Sequence, residues 1–231
     1  MKLEDSYSTV YENENLGNID LIIPSWPKDR YQASIFWAGS GINVLDIGCG
    51  NGTVLYNLRT KFDKLYGVEV SKSRVLTAKK TLRGHDAKIY FSNIETGTEF
   101  KDNFFDVVII SDVIEHTIDI FEVMAEIYRI LKVGGKLILN TPNVASITKR
   151  FVLLFGKFPS TSAGNEGLNV RMEGELFDGG HLHYFTFSLL RKLLQKYGYS
   201  QIEQYGFGKL GRIHNIYPSL FSNSCQIVAI K

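Results

Sequence analysis

The chain has 231 residues, 44% of them hydrophobic, which suffices for one well-filled core and points to a single domain. Lys and Arg number 26 against 24 Asp and Glu, and the net charge of +2 gives no electrostatic case for nucleic acid or a membrane as partner. The two cysteines, Cys49 and Cys225, make neither a disulfide frame nor a zinc set, the N-terminus is too acidic and polar for a signal peptide, and no apolar run approaches about 18 residues, so a cytoplasmic enzyme is expected.

Taken in chain order, Trp26, Tyr31, Ile35, Phe36 and Trp37 predict an amphipathic helix from about Lys28 to Ala38. Val44-Leu45-Asp46-Ile47 is an apolar run broken by one acid, as in a buried parallel strand. It runs into Gly48-Cys49-Gly50-Asn51-Gly52 and then a helix-compatible stretch from Thr53 to Arg59. A second strand follows at 64–70. Ser71 then caps a helix that carries Val75, Ala78 and Leu82 on one face and ends at Gly84. Strands are expected at 87–91 and 105–110, the latter apolar enough to be central. Asp119 and Glu122 form a capping box for a helix with the stripe Ile120, Phe121, Met124, Ile127, Tyr128 and Leu131, stopped by Gly134-Gly135 ahead of a strand at 136–140. This rhythm means right-handed crossovers and a parallel sheet covered on both faces.

The rhythm breaks from Thr141 to Tyr184, where no periodicity is clear and residues 160–180 are rich in Gly, Ser, Asn and Glu; a segment of that length is expected to be functional or disordered. It resumes with a helix capped by Ser188, bearing Leu189, Leu190, Leu193, Leu194 and Tyr197 and stopped by Gly198, then strands at 201–207 and 224–230. Seven strands result.

A strand turning through glycines into a helix is a nucleotide-cofactor loop, because glycine lets the backbone bend sharply and a ligand press against it. The dinucleotide fingerprint G-x-G-x-x-G/A fails at its third glycine, where Thr53 stands. The pattern is D-x-G-x-G-x-G, from Asp46 to Gly52, and it resembles motif I of the class I S-adenosylmethionine-dependent methyltransferases. The resemblance covers roughly residues 40–205 and is nearest to the small-molecule group that includes ubiquinone-type and MetW-like proteins. It implies a Rossmann-like α/β fold: a seven-stranded, mostly parallel sheet with helices on both faces and the last strand antiparallel beside the fifth. It also implies one methyltransferase domain over 1–231, with residues 1–40 as a helical cap and 143–185 as a variable lid over the acceptor. The N-terminal helix then either lies over the cofactor or covers a sheet edge.

Further motifs extend the resemblance. Glu69, in Gly67-Val68-Glu69-Val70-Ser71, lies about 20 residues beyond Gly48, where an acid takes ribose hydroxyls in a fork. Asn93 and Ile94 align with the segment that brackets adenine, with Asn93 in place of the family's usual Asp. Ser111-Asp112-Val113-Ile114-Glu115-His116 resembles the D-x-x-E-H of many small-molecule methyltransferases and puts Ser111 and Asp112 near the methionyl part. The implied cofactor is S-adenosylmethionine, held by Asp46, Gly48, Cys49, Gly50, Gly52, Glu69, Val70, Asn93, Ile94, Ser111 and Asp112.

His116 is a candidate base, its ordinary pKa being near 6.5; as alternatives it packs at the helix start, or joins Asp112 and Glu115 around a divalent metal as in some relatives. His181 and His183, in Gly179-Gly180-His181-Leu182-His183, are candidate catalytic residues or anchors of their own loop, with no matching cysteine or third histidine for a zinc pair, so no metal is assigned. Leu131 to Gly135 resembles the structural L-K-P-G-G segment, with Val133 for Pro. Thr141-Pro142-Asn143 lacks the second proline and the aromatic of the enzymes that methylate nucleobases. With Arg150 and Gly156 to Pro159 it resembles a MetW-like pattern.

The expected activity is methyl transfer to an O, N or C nucleophile of a small metabolite such as a sugar, lipid or quinone, with Tyr31 a candidate face for the sulfonium. A monomer or homodimer is expected, with no nucleic-acid partner and no membrane insertion. The alternatives are a non-catalytic S-adenosylmethionine-binding partner protein of MetW-like type and an NAD-dependent oxidoreductase.

Overall fold

Seven strands form one sheet: β1 (Gly41–Ile47), β2 (Phe62–Glu69), β3 (Ala87–Phe91), β4 (Phe105–Ser111), β5 (Leu131–Pro142), β6 (Ser200–Tyr205) and β7 (Ser224–Ile230). The computed structural model describes residues 19–162 and 177–231, so the first 18 residues of the expected cap and residues 163–176 of the expected insert lie outside the described residues. The strand order is β3-β2-β1-β4-β5-β7-β6. All pairs from β3 to β5 are parallel, whereas β7 pairs antiparallel with both β5 and β6. The α/β fold and the antiparallel last strand are as expected.

Helices cover both faces, as burial of near-continuous apolar strands requires. On one face α1 (Arg30–Ala38), α2 (Thr53–Leu58) and α3 (Lys72–Thr81) pack over Val44, Leu65, Val107, Ile109 and Ile138. On the other, α4 (Ile120–Ile130) and α6 (Phe187–Lys196) pack over Leu45, Val108, Ile110, Leu137 and Ile227. Side chains alternate across each strand, so Leu45 and Val44 enter different cores.

Several boundaries differ from expectation. The helix α4 buries Val123, Met124, Ile127 and Ile130; of the predicted stripe Met124, Ile127 and Leu131 are buried, Ile120 and Tyr128 pack against the core, and only Phe121 is left half exposed. Asp119 does cap it, accepting from the N–H groups of Phe121 and Glu122 at 2.8 and 3.3 Å, but the Asp119 N–H turns to Glu95 Oε2 at 3.2 Å instead of back to Glu122. The helix stops before Gly134-Gly135: Leu131 is already extended and pairs with Phe105, and the glycines sit inside β5, exchanging bonds with Lys231. Thr186, two residues before the expected Ser188, caps α6 by accepting from Leu189 N–H at 3.2 Å, and Leu189 is exposed. Within the expected insert, Ile147–Leu154 forms α5. A short α7 (Pro218–Phe221), unforeseen in the sequence, precedes β7.

The helix α1 lines the cavity with one face and packs on the edge of the sheet with another. Asp29 caps it, accepting from Gln32 N–H at 2.9 Å. Arg30, Tyr31 and Ser34 face the sheet's cavity, while Trp37 stacks on Tyr205 of the edge strand at 4.7 Å and Trp26 donates to Gly206 O at 2.9 Å.

Candidate cofactor and acceptor site

The strand order reverses at β1, whose neighbours are β2 and β4, and in an open α/β sheet the crevice beyond the strand C-termini at such a point is where ligands bind. A cavity of about 510 Å³ lies there. Its floor is the loop from Gly48 to Asn51. Gly48 has φ 71°, and a Cβ on it would lie 2.3 Å from Val113 Cγ2, so no side chain fits. Gly50, φ 55°, is different: a Cβ there would meet nothing within 4 Å, so the loop leaves an empty cradle facing the cavity. Gly52 does not line the cavity; it caps α2 and packs against Ala78 of α3. Cys49 lines it, yet its Sγ also packs against Gly67, and burial first, then the Asp46 and Glu69 charges, push its thiol pKa well up.

Acids crowd the walls. Glu69, at the end of β2, is buried and accepts from Gly50 N–H and Ser71 N–H, each at 2.9 Å, so it stiffens the glycine loop while lining the cavity. A carboxylate has about four acceptor sites, and two of these remain for a ligand's hydroxyls. Asp46, buried on β1, has its pKa pushed up to about 8 by burial and by the Glu69 charge. Val70, Ile94 and Asn93 also line the cavity. The Asn93 oxygen, which the resemblance aims at adenine, accepts from Glu95 N–H at 3.0 Å and so caps the turn Ile94–Thr96.

Ser111 and Asp112 end β4 on the cavity wall. Asp112 has φ 51°, a left-handed conformation costly for a residue with a Cβ, and its N–H is held by Asn140 O at 3.0 Å. Its Oδ2 pairs with Arg30 Nη1 at 2.5 Å, joining α1 to β4 across the cavity.

Two of the three candidate histidines line the cavity, with ring centroids 4.7 Å apart. His116 Nδ1 lies 3.2 Å from Gly180 O; a carbonyl only accepts, so Nδ1 carries the proton and Nε2 the lone pair. Burial and then His181 lower its pKa to about 4, which keeps it neutral at physiological pH. His181 Nδ1 lies 2.6 Å from Thr161 Oγ1, whose own hydrogen points to Asp178 Oδ2 at 3.1 Å, so this ring also carries its proton on Nδ1. His183 does not line the cavity; its Nε2 lies 3.4 Å from Ile118 O, which matches loop anchoring. Glu115, which the sequence offered as a metal ligand beside Asp112 and His116, is buried and lines the same cavity. Thr141 Oγ1 donates to its Oε2 at 2.9 Å, and burial with the Asp112 charge pushes its pKa up to about 8. Donor atoms of Glu115, His116 and His181 all lie within 4.8 Å of one another, a spacing that fits a divalent metal.

Other members escaped the sequence reading. Arg30 and Asp112 lie 82 residues apart, and no local pattern links them. Asp178 is buried in a left-handed turn (φ 45°) and accepts from Ser160 Oγ, from the backbone N–H and hydroxyl of Thr161 at 3.0 and 3.1 Å, and from those of Ser162 at 3.1 and 2.8 Å. Those bonds outweigh its burial and hold its carboxyl well below the usual range. Its signal was Ser160-Thr161-Ser162, a run of hydroxyls that only the fold brings to one carboxylate.

Four buried oxygens on the cavity wall have no hydrogen-bond partner among the described residues: Ser34 Oγ, Ser111 Oγ, Asp112 Oδ1 and Glu115 Oε1. Buried polar atoms are satisfied in native proteins, so these await a ligand's donors. With the Gly50 cradle and the acidic walls, the site fits a polar, cationic nucleoside such as S-adenosylmethionine.

Comparison with known proteins agrees. A family profile described as a methyltransferase domain matches residues 26–204. An uncharacterised protein of Methanocaldococcus jannaschii is 38% identical over 106 residues, 46% of this chain and 43% of the relative. A ubiquinone biosynthesis O-methyltransferase of Rickettsia typhi is 28% identical over 104 residues, 45% of this chain and 42% of the relative. The matched stretch thus spans less than half the length of these two curated relatives. Among solved structures, an S-adenosylmethionine-dependent methyltransferase of Archaeoglobus fulgidus superposes with a TM-score of 0.60 at 19% identity, covering 85% of this chain and 89% of that one. The chain belongs to the methyltransferase-domain family, and its cofactor is S-adenosylmethionine.

Proposed function

We propose that the protein transfers a methyl group to an O, N or C nucleophile of a small, partly apolar metabolite, with the acceptor entering beside His116 and His181. One observation carries this reading: the same cavity is lined by the glycine cradle and acids of a cofactor site and by two neutral imidazoles, those of His116 and His181. The bound cofactor supplies an activated sulfonium methyl. The chain's part is alignment and proton removal. Glu69, Asp46 and the loop fix one end of the ligand, and alignment of the reacting partners is worth about 7–11 kcal/mol. His116 Nε2 takes the acceptor's proton while Gly180 O holds the ring. The ubiquinone O-methyltransferase relatives support a hydroxyl acceptor.

Calorimetry and turnover test the reading. S-adenosylmethionine should bind and NAD should not, and Gly50→Arg, which fills the cradle, should abolish binding. Binding by the Arg variant at wild-type affinity would refute the assignment. S-adenosylhomocysteine should form with phenolic or enolic acceptors, and His116→Ala should slow its formation. Binding without turnover on any acceptor would instead favour a partner protein of MetW-like type. The Glu115, His116 and His181 cluster supports a second reading of the same residues as metal ligands: a chelator would then abolish turnover and an added divalent cation would restore it.

A further inference from the structure

The helix α5 buries none of its residues. Phe151, Leu153, Leu154 and Phe155 all face solvent, the last two at 74% and 77% exposure. A second segment repeats the pattern: Leu210, Ile213, Ile216, Tyr217 and Phe221 are exposed between β6 and β7. The two segments meet. Asn143 Nδ2 donates to Ser219 O and Ser222 O at 3.1 and 2.8 Å, and Thr148 Oγ1 donates to Asn223 Oδ1 at 3.2 Å. Large apolar side chains gathered this way on a surface mark an interaction site.

Their charge is one-signed. Lys149, Arg150, Lys209 and Arg212 lie in these segments, and no Asp or Glu occurs from Asn143 to Ser162 or from Gln204 to Lys231. The near-neutral total of the chain hides this separation. A second copy would set cations against cations across a symmetric interface, which disfavours self-association. Apolar side chains flanked by Lys and Arg are what an anionic bilayer surface takes up: the apolar groups enter the headgroup boundary and the cations face the phosphates.

We propose that this surface, α5 with the segment 209–221, docks the protein on anionic lipid. In the chain, α5 follows Pro142, a cavity-lining residue at the end of β5. This is docking at an interface, not spanning: no helix among the described residues is long and apolar enough to cross a membrane. The inference stands apart from the acceptor's identity.

The test is sedimentation of the full chain with vesicles of phosphatidylcholine alone or mixed with phosphatidylglycerol. The protein should pellet with the mixed vesicles and less so as salt rises. Lys209→Gln with Arg212→Gln should weaken partitioning roughly thirtyfold, from the contribution of each cation near an anionic surface. Leu154→Gln with Phe155→Gln should weaken it about tenfold or more. All four positions are exposed or half-exposed, so circular dichroism and S-adenosylmethionine affinity should stay as in the wild type. Absence of the wild-type chain from the anionic pellet, or equal partitioning by both double variants, would overturn the proposal. So would a lipid-free dimer that Leu154→Gln with Phe155→Gln converts to monomer, because a second copy would then own the surface.

Discussion

At the residue scale, the candidate histidine pair shows how a neighbouring hydroxyl settles which ring nitrogen carries the proton. Thr161 has one hydroxyl hydrogen, directed to Asp178, and so must accept from His181 Nδ1. Thr161 is thus a positioning residue: it sets which His181 nitrogen offers a lone pair. Thr161→Val removes the acceptor. We expect the His181 ring to show mixed tautomers by nitrogen NMR, with kcat down about tenfold and the acceptor KM little changed, the size usual for groups that orient a ligand-contacting histidine. Thr161→Ser should restore both. A Val variant with the wild-type tautomer would remove Thr161 from the mechanism. None of this was legible in the chain order, where His181 and His183 look equivalent. They differ because the turn at Asp178, with a left-handed residue at its start, aims only one of them inward.

At the element scale, α4 illustrates where periodicity misleads. Of the predicted stripe only Phe121 lies off the buried face, which Val123 and Ile130 join beside Met124 and Ile127. Packing decides: Phe121 is left outside, beneath Lys196 Nζ at 4.2 Å from its ring, with its carbonyl accepting from Tyr197 OH at 2.7 Å. Met124→Ala should therefore cost about 2–5 kcal/mol in denaturant unfolding, and Phe121→Ala no more than about 1 kcal/mol. Equal losses would show that the observed register is wrong. The strand, tight turn and helix start of the glycine loop, by contrast, were readable because they are local, although Gly52 caps α2 and does not line the cavity. The Arg30 to Asp112 pair was not readable, because it depends on α1 folding back over strands laid down far along the chain.

At the scale of the whole molecule, burying Asp46 beside Glu69 ties stability to pH. Its folded pKa of about 8 lies above the unfolded value near 4, so the folded state binds the extra proton between them. The stability this confers is complete below about pH 4 and is lost as pH rises through about 8. The Tm of the ligand-free protein should fall from about pH 6.5 to about pH 8.5, and Asp46→Asn should reduce that slope, leaving the part that Glu115, also raised to about 8, contributes. A variant with the wild-type slope would place the titration elsewhere.

The antiparallel β7 has a consequence for how the molecule is made. Among the described strands β6 has no neighbour other than β7, and β7 is the last of the seven in chain order. The five parallel strands can assemble as synthesis proceeds, but β6 must wait unpaired, held by α6 and by the rings of Trp26 and Trp37 against Tyr205, until the strand that will separate it from β5 arrives. The edge of the sheet is thus set by a late insertion. Until then β5 presents an open flank, the exposed strand edge from which misassembly between nascent chains begins.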